Sequence, residues 1–143
     1  MFSCTFFGHR NTSKEIKPLL KNILIDLIEN KNITKFYVGT HGSFDITVQK
    51  LLKELKEDYP HINYYIVLAY LPQKNNSYND YDNTIYPDLE NIPLKYAIIE
   101  RNKWMINKSD YIVCYVENTF SNAHKFLELA RKKNKIIINL YSK

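Results

Sequence analysis

Gly39-Thr40-His41-Gly42-Ser43-Phe44-Asp45 follows the apolar run Phe36-Tyr37-Val38 and precedes an amphipathic stretch from Ile46 to Leu55. Strand, glycine-bracketed turn and helix come in that order, and the order decides the fold class. The stretch holds two of the three glycines in the 143 residues. The third, Gly8, stands in an equivalent place, after Cys4-Thr5-Phe6-Phe7 and before His9-Arg10. Glycine confined to two strand ends marks positions of close backbone approach or positive φ. A strand that feeds a helix through such a turn leaves N–H groups open at the helix start. The helix dipole there favours an anion such as a phosphate. Each turn alone is an ordinary βα connection; two at matching places point to a shared anion-binding edge.

The periodicity extends this pattern in both directions. Residues 2–7 read as a strand buried on both faces. Thr12 offers an N-cap with Glu15 three residues on, a capping box. The helix it opens carries the apolar stripe Ile16, Leu19, Leu20, Ile23, Leu24, Leu27 and Ile28, and stops at Asn30-Lys31-Asn32. A second strand covers about 34–39. A second helix runs from Ser43, its expected N-cap, to Tyr59, with Asp45 in the first turn and Pro60 closing it. A third strand spans Tyr64 to Tyr70.

Residues 71–92 break the pattern with Pro72, Pro87 and the tyrosines Tyr78, Tyr81 and Tyr86. A loop of this length is a lid, a binding loop or a mobile segment. Its tyrosines either stack on a flat ligand or pin the loop to the surface. Pro93 suits the first turn of a third helix reaching Lys108. A fourth strand (Tyr111 to Val116), a fourth helix (Ser121 to Lys133) and a fifth strand (Ile136 to Leu140) complete the chain.

Strands alternating with helices imply an α/β fold in one domain over residues 1–143. The expectation is a three-layer arrangement, a five-stranded, mainly parallel sheet with helices on both faces and right-handed crossovers. The expected strand order is 3-2-1-4-5, which puts the switch point between the first and fourth strands. The crevice there would collect Gly8, His9 and Arg10 from the first turn and Gly39, His41, Gly42, Ser43 and Asp45 from the second. Asn118, Thr119, Ser121 and Asn122 would come from the turn after the fourth strand.

Composition narrows the classes. Hydrophobic residues make up 45% of the chain, a globular content, and no run approaches a membrane span. Cys4 and Cys114 lie in apolar strands and read as reduced, buried thiols; with no secretion signal at the N-terminus, the expected location is cytoplasmic. The net charge of +5 is compatible with nucleic acid or with small phosphorylated ligands. The lysines, however, are mixed with glutamates along helix faces, as in Lys53-Glu54-Leu55-Lys56-Glu57. That favours a solvated surface over a nucleic-acid interface. An exposed apolar helix face would suit a homodimer.

Individual residues carry the chemistry. Arg10 can pair with a phosphate through its planar donor fork, or be a surface residue near a helix start. Asp45 can accept hydrogen bonds from a ribose or complement its own helix dipole. Arg101 falls within the apolar stripe Leu94, Ala97, Ile98 and Met105, where a guanidinium needs a carboxylate, a carbonyl cluster or an anion. Its partner is a ligand, or a neighbour such as Glu100 or Asp110. Trp104 is a helix residue packing on the sheet. His9, His41 and His124 match no tight metal motif, and no metal or cofactor is expected.

Several blocks together resemble the YpsA-like branch of the SLOG superfamily. They are Cys4-Thr5-Phe6-Phe7-Gly8-His9-Arg10, Tyr37-Val38-Gly39 with Gly42-Ser43-Phe44-Asp45, and Val67-Leu68-Ala69-Tyr70-Leu71-Pro72. Asp82-x-Thr84-Ile85-Tyr86-Pro87, Arg101-Asn102-x-Trp104-Met105 and Ser109-Asp110-Tyr111 complete the set. The resemblance spans nearly the whole chain. It implies a Rossmann-like sheet and a nucleotide-derived ligand.

The same superfamily contains LOG-type phosphoribohydrolases, which cleave a base from a nucleoside monophosphate. Their pattern is Arg-Lys-x-x-Met on a helix, then a strand, then Pro-Gly-Gly-x-Gly-Thr and a catalytic glutamate. Arg101 and Met105 match the helix part. Glu117-Asn118-Thr119-Phe120-Ser121-Asn122 has no glycine, and Ala123 and His124 stand about where the glutamates would be. Side chains then crowd the path of a phosphate to that helix start, although the amides of 119–123 or the Gly39–Ser43 turn stay within its reach. The expectation is therefore a binding protein that senses or sequesters a nucleotide without turning it over. The amides of 42–45, Arg10 and Arg101 would hold its phosphate and Asp45 its ribose or base, with the tyrosine-rich loop closing over the top. The alternatives are an N-glycosidase using Arg101 with Asp45 or Glu100, and a protein-interaction module with a vestigial crevice.

Overall fold

The chain's alternation of strand and helix resolves into a six-stranded sheet in the order β4-β3-β2-β1-β5-β6. The strands are β1 (Phe2–Gly8), β2 (Ile33–Val38), β3 (Asn63–Val67), β4 (Thr84–Ile85), β5 (Tyr111–Tyr115) and β6 (Ile136–Asn139). The computed structural model describes residues 2–9, 11–71, 83–117 and 121–142. Each described strand pair is parallel.

The expected order of five strands holds, and β4 is added at the edge. It was hidden inside the stretch read as loop because only two residues pair, Thr84 with Ile66 and Ile85 with Val67. Two residues carry no periodicity; the partner that makes them a strand is seventeen or more positions away. The third strand is also shorter than expected, ending at Val67, although Leu68 and Ala69 beyond it are buried.

Helices α1 (Lys17–Asn30) and α2 (Ser43–Asp58) cover one face, α3 (Ala97–Lys108) and α4 (Asn122–Lys132) the other. Right-handed crossovers explain the division. The chain steps outward from β1 through β2 to β3, then returns past β1 to β5, and the reversal sends the later helices to the opposite side. Alternation along β1 shows both cores. Cys4 and Phe6 join Leu24, Leu27, Val48 and Leu52 from α1 and α2. Phe7 points the other way, to Ile106 of α3 and Phe126, Leu127 and Ala130 of α4. Trp104 packs edge-on against Tyr37 of β2, ring centroids 5.7 Å apart, as expected for a helix residue on the sheet.

Two caps differ from the expected ones. Thr12 does not open α1. Ser13 caps a 3-10 turn, Lys14–Ile16, by accepting from the Glu15 amide at 3.2 Å, and regular helix starts only where Pro18 can sit in its first turn. At α2 the N-cap is Gly42, with φ of 96°, and Ser43 is already the first helical residue. A β-carbon is disfavoured at that φ, so the chain uses glycine where a side-chain cap was expected.

Candidate functional site

β1 and β5 are neighbours in the sheet, yet the chain leaves them on opposite faces. Their C-terminal ends therefore bound the crevice at which parallel sheets bind ligands. The two exits are clasped together. The His9 amide donates to the Tyr115 carbonyl at 3.3 Å, and the Glu117 amide donates to His9 Nε2 at 2.9 Å. A neutral His9 ring bonded this way carries its proton on Nδ1. Asn139 of β6 braces the same exit, its side chain pairing with both the amide and the carbonyl of Val116 at 3.1 Å.

A cavity of about 270 Å³ opens at this point. Gly8 and His9 line it from β1, His41 and Asp45 from the start of α2, and Ser121, Asn122 and Ala123 from the start of α4. Ile98, Ile99, Arg101 and Asn102 contribute from α3, and Phe6, Phe7 and Phe126 supply apolar wall. Seven of the expected site residues thus meet in one space: Gly8, His9, His41, Asp45, Arg101, Ser121 and Asn122.

Others go elsewhere. Gly39, Gly42 and Ser43 are not among the residues that line the cavity. Ser43 Oγ accepts from the Thr12 amide at 2.7 Å and donates to the Thr12 carbonyl at 3.2 Å, tying the segment after β1 across the α2 start. Glu100 lies on a separate groove with Trp104 and Asn107, and pairs with Lys103 at 3.6 Å. It is not brought to Arg101, and neither is Asp110, which accepts from the Ser3 amide at 3.0 Å. His124 sits beside Glu128 at 3.8 Å, one helical turn along α4. Arg10, Asn118 and Thr119, with Pro72, Tyr78 and Tyr81 of the long loop, lie outside the described residues.

The electrostatic centre is Arg101 with Asp45. Arg101 is 1% exposed and spends its donors inside the protein. Nη1 bonds Thr40 Oγ1 at 3.1 Å and the Val67 carbonyl at 3.0 Å, Nε bonds Asn102 Oδ1 at 2.7 Å, and Nη2 lies 3.5 Å from His41 Nδ1. These partners arrive from β3, the turn after β2, and α3 itself, so the guanidinium joins three elements behind the cavity. Asp45 is 8% exposed and accepts the His41 amide at 3.1 Å through Oδ2. Burial raises its carboxyl pKa to about 6, although the Arg101 charge and the His41 amide pull the other way. Burial lowers the Arg101 pKa, with Asp45 and Tyr70 opposing it.

Gly39 is what lets these two groups approach. A β-carbon there would lie 2.8 Å from Asp45 Oδ2 and 3.1 Å from Arg101 Cζ. The glycine admits the protein's own carboxylate and guanidinium close to its backbone. At Gly8 the neighbour is the Phe44 ring, whose Cγ would come within 2.8 Å of an added β-carbon.

A model of the YspA SLOG family (YpsA) matches residues 3–139. The chain belongs to that family. No curated protein matches it. Membership agrees with the parallel sheet flanked by helices and suggests a nucleotide-related role. No helix among the described residues is long and apolar enough to cross a membrane, and no cluster of ligating side chains among them could hold a metal ion.

Sequence reasoning missed Thr40, which accepts from Arg101, and Asn102, which orients it. The signal for Asn102 was present: a polar residue beside Arg101 and one turn beyond Ile98 shares the buried face of α3. For Thr40 there was none, because its role depends on a contact sixty-one positions away.

Proposed function

We propose that this SLOG protein binds a nucleotide or nucleotide-derived ligand at the C-terminal ends of β1, β2 and β5, in a sensing or sequestering role within the cytoplasm. One observation carries the reading. A buried arginine and a buried carboxylic acid, on different helices, share the wall of the cavity at the switch point of the sheet. Among the described residues they are not joined by a salt bridge. Burying two such groups is costly, and sites that do so are enriched in function.

In this reading Asp45 takes a ribose or base donor. The phosphate lies towards the first amides of α4, near Asn122 and Ala123, with Arg101 supplying positive potential behind it and Arg10 as a further candidate. Gly8, Gly39, Gly42 and Ser43 shape the turns without being asked to touch the ligand.

A thermal-shift screen against mono-, di- and cyclic nucleotides, NAD and ADP-ribose tests the proposal. One class should raise Tm, because a ligand that prefers the folded state stabilises it, by about 2.7 kcal/mol at a hundredfold excess over Kd. Asp45→Asn should weaken that shift. No shift from any of these compounds at millimolar concentration would sink the reading.

Asp45 also favours a second reading. A carboxyl whose pKa is raised to about 6, beside an arginine in a cavity, suits a general acid or base at neutral pH. In N-glycosidic hydrolysis Asp45 would take a proton from a water that bonds to the anomeric carbon as the C–N bond breaks. The base leaves with a proton and the ribose phosphate keeps the hydroxyl, and Asp45→Asn should abolish release. Glu100, on the far groove, has no part in this chemistry. Absence of released base with a ligand that demonstrably binds would leave binding alone.

A further inference from the structure

The cavity does not end the surface that α3 and α4 offer. A second groove of about 370 Å³ lies between these helices and shares Ile99, Asn122 and Phe126 with the cavity. Phe126 is buried, and Ile99 and Leu129 are half-buried, so the groove has an apolar floor. Around it stand the exposed Lys103 from α3 and Lys125 and Lys132 from α4.

Its charge is positive in effect as well as by count. Glu128, the acidic residue in the lining, is engaged by Arg131 and His124. Lys103 has an exposed pair with Glu100, worth little in water. Among the described residues, no carboxylate pairs with Lys125 or Lys132. These two are seven positions apart, two turns of one helix face, so they repeat along the groove at about 10 Å.

Size points the same way. Small-molecule pockets run from about 300 to 1,000 Å³. The cavity alone falls just below that range, and cavity with groove falls well inside it. Asn122, the first residue of α4, borders both, so a chain leaving the phosphate position at the α4 start meets the groove directly.

We infer that the groove is the second half of the ligand site, and that the ligand is a nucleotide extended through its phosphate to a further anionic unit, of the pyrophosphate-linked dinucleotide class. The inference rests on the nucleotide reading of the cavity. The first nucleotide fills the cavity; the bridging phosphates, which carry the ligand's charge, run from Asn122 to the rim lysines; the second nucleoside, uncharged, lies on Ile99, Phe126 and Leu129.

Calorimetric titration of the full chain with AMP and GMP, and with diadenosine and diguanosine diphosphate, tests it. One dimer should bind at least tenfold tighter than its monomer. The triple variant Lys103→Gln/Lys125→Gln/Lys132→Gln, all at exposed positions, should bring that dimer down to the monomer's affinity and leave the monomer within about twofold. A dimer no tighter than its monomer overturns the inference, and so does a variant that weakens both equally. Either result, with the monomer bound, leaves the cavity reading standing; failure of all four probes overturns the inference, while the cavity reading still rests on the wider thermal-shift screen.

Discussion

Two helix starts face the same crevice, and the chain treats them differently. The α2 start has the sequence features of an anion site, two glycines and a serine. The protein's own groups nevertheless crowd it: Asp45 takes the His41 amide, Ser43 Oγ is bound to Thr12, and Gly39 lies against Asp45 and Arg101. The α4 start has no glycine, is capped by its own Ser121, and lines the open cavity with Asn122 and Ala123. Glycine in a βα turn reports that something approaches the backbone closely. It does not report whether that something is a ligand or a side chain.

The largest test of this contrast is Arg101→Met. If the α2 turn is held by internal contacts, removal of the guanidinium leaves Asp45 buried without its compensating charge and frees the Val67 carbonyl and Thr40. Each buried polar group left unsatisfied costs about 1–3 kcal/mol. Urea denaturation at pH 8 should show a loss of that size, and a smaller one at pH 5, where Asp45 is neutral in both proteins. Unchanged stability at pH 8 would mean that Arg101 is held for a ligand and the two helix starts are less different than drawn.

Asp45→Asn probes the other half of the pair. The folded carboxyl, with pKa about 6, holds its proton more tightly than in the unfolded chain, at about 4. Its contribution to stability is therefore complete below about pH 4 and is lost as pH rises through 6. Two units amount to about 3 kcal/mol. Asn keeps the neutral form at every pH, so the variant should match the wild type near pH 4 and exceed it by up to about 3 kcal/mol at pH 8. Parallel stability curves for the two proteins would show that Asp45 ionises without penalty. A gain in stability joined to a loss of ligand binding would be the signature of a residue kept for function.

Gly39→Ala comes next. The added β-carbon must displace Asp45 or Arg101, both packed, and overpacking of this kind costs about 1–3 kcal/mol. Chemical denaturation of the variant measures it. A cost near zero would mean that the pair yields readily and that the glycine is kept for something outside the protein.

How far the sequence could be read follows from the range of each signal. Strand order and the two helical faces were legible because they rest on local periodicity plus the handedness of crossovers, as Cys4 and Phe6 against Phe7 illustrate. Arg101 was visible as a buried charge for the same reason. What it touches was not, since Thr40 and Val67 are distant in sequence and the expected neighbours Glu100 and Asp110 point elsewhere. β4 failed because a two-residue strand has no pattern of its own. The caps failed where a single backbone torsion, φ at Gly42, outranks the chemistry of the neighbouring serine.

The smallest effect belongs to the α4 start and separates its two roles. Ser121 Oγ accepts the His124 amide at 3.1 Å, an N-cap whose removal costs about 1 kcal/mol with alanine and only a few tenths with glycine. Ser121→Ala and Ser121→Gly should therefore differ in stability by most of that amount, measured by thermal melts at low ionic strength. Their effect on a bound nucleotide should not follow the same order. Glycine leaves the first amides of α4 in place and removes the β-carbon that crowds them, so a phosphate held there should bind Ser121→Gly at least as well as the wild type. If both variants lose ligand alike, the hydroxyl itself is the contact, and α4 would match α2 in using a side chain where open backbone was inferred.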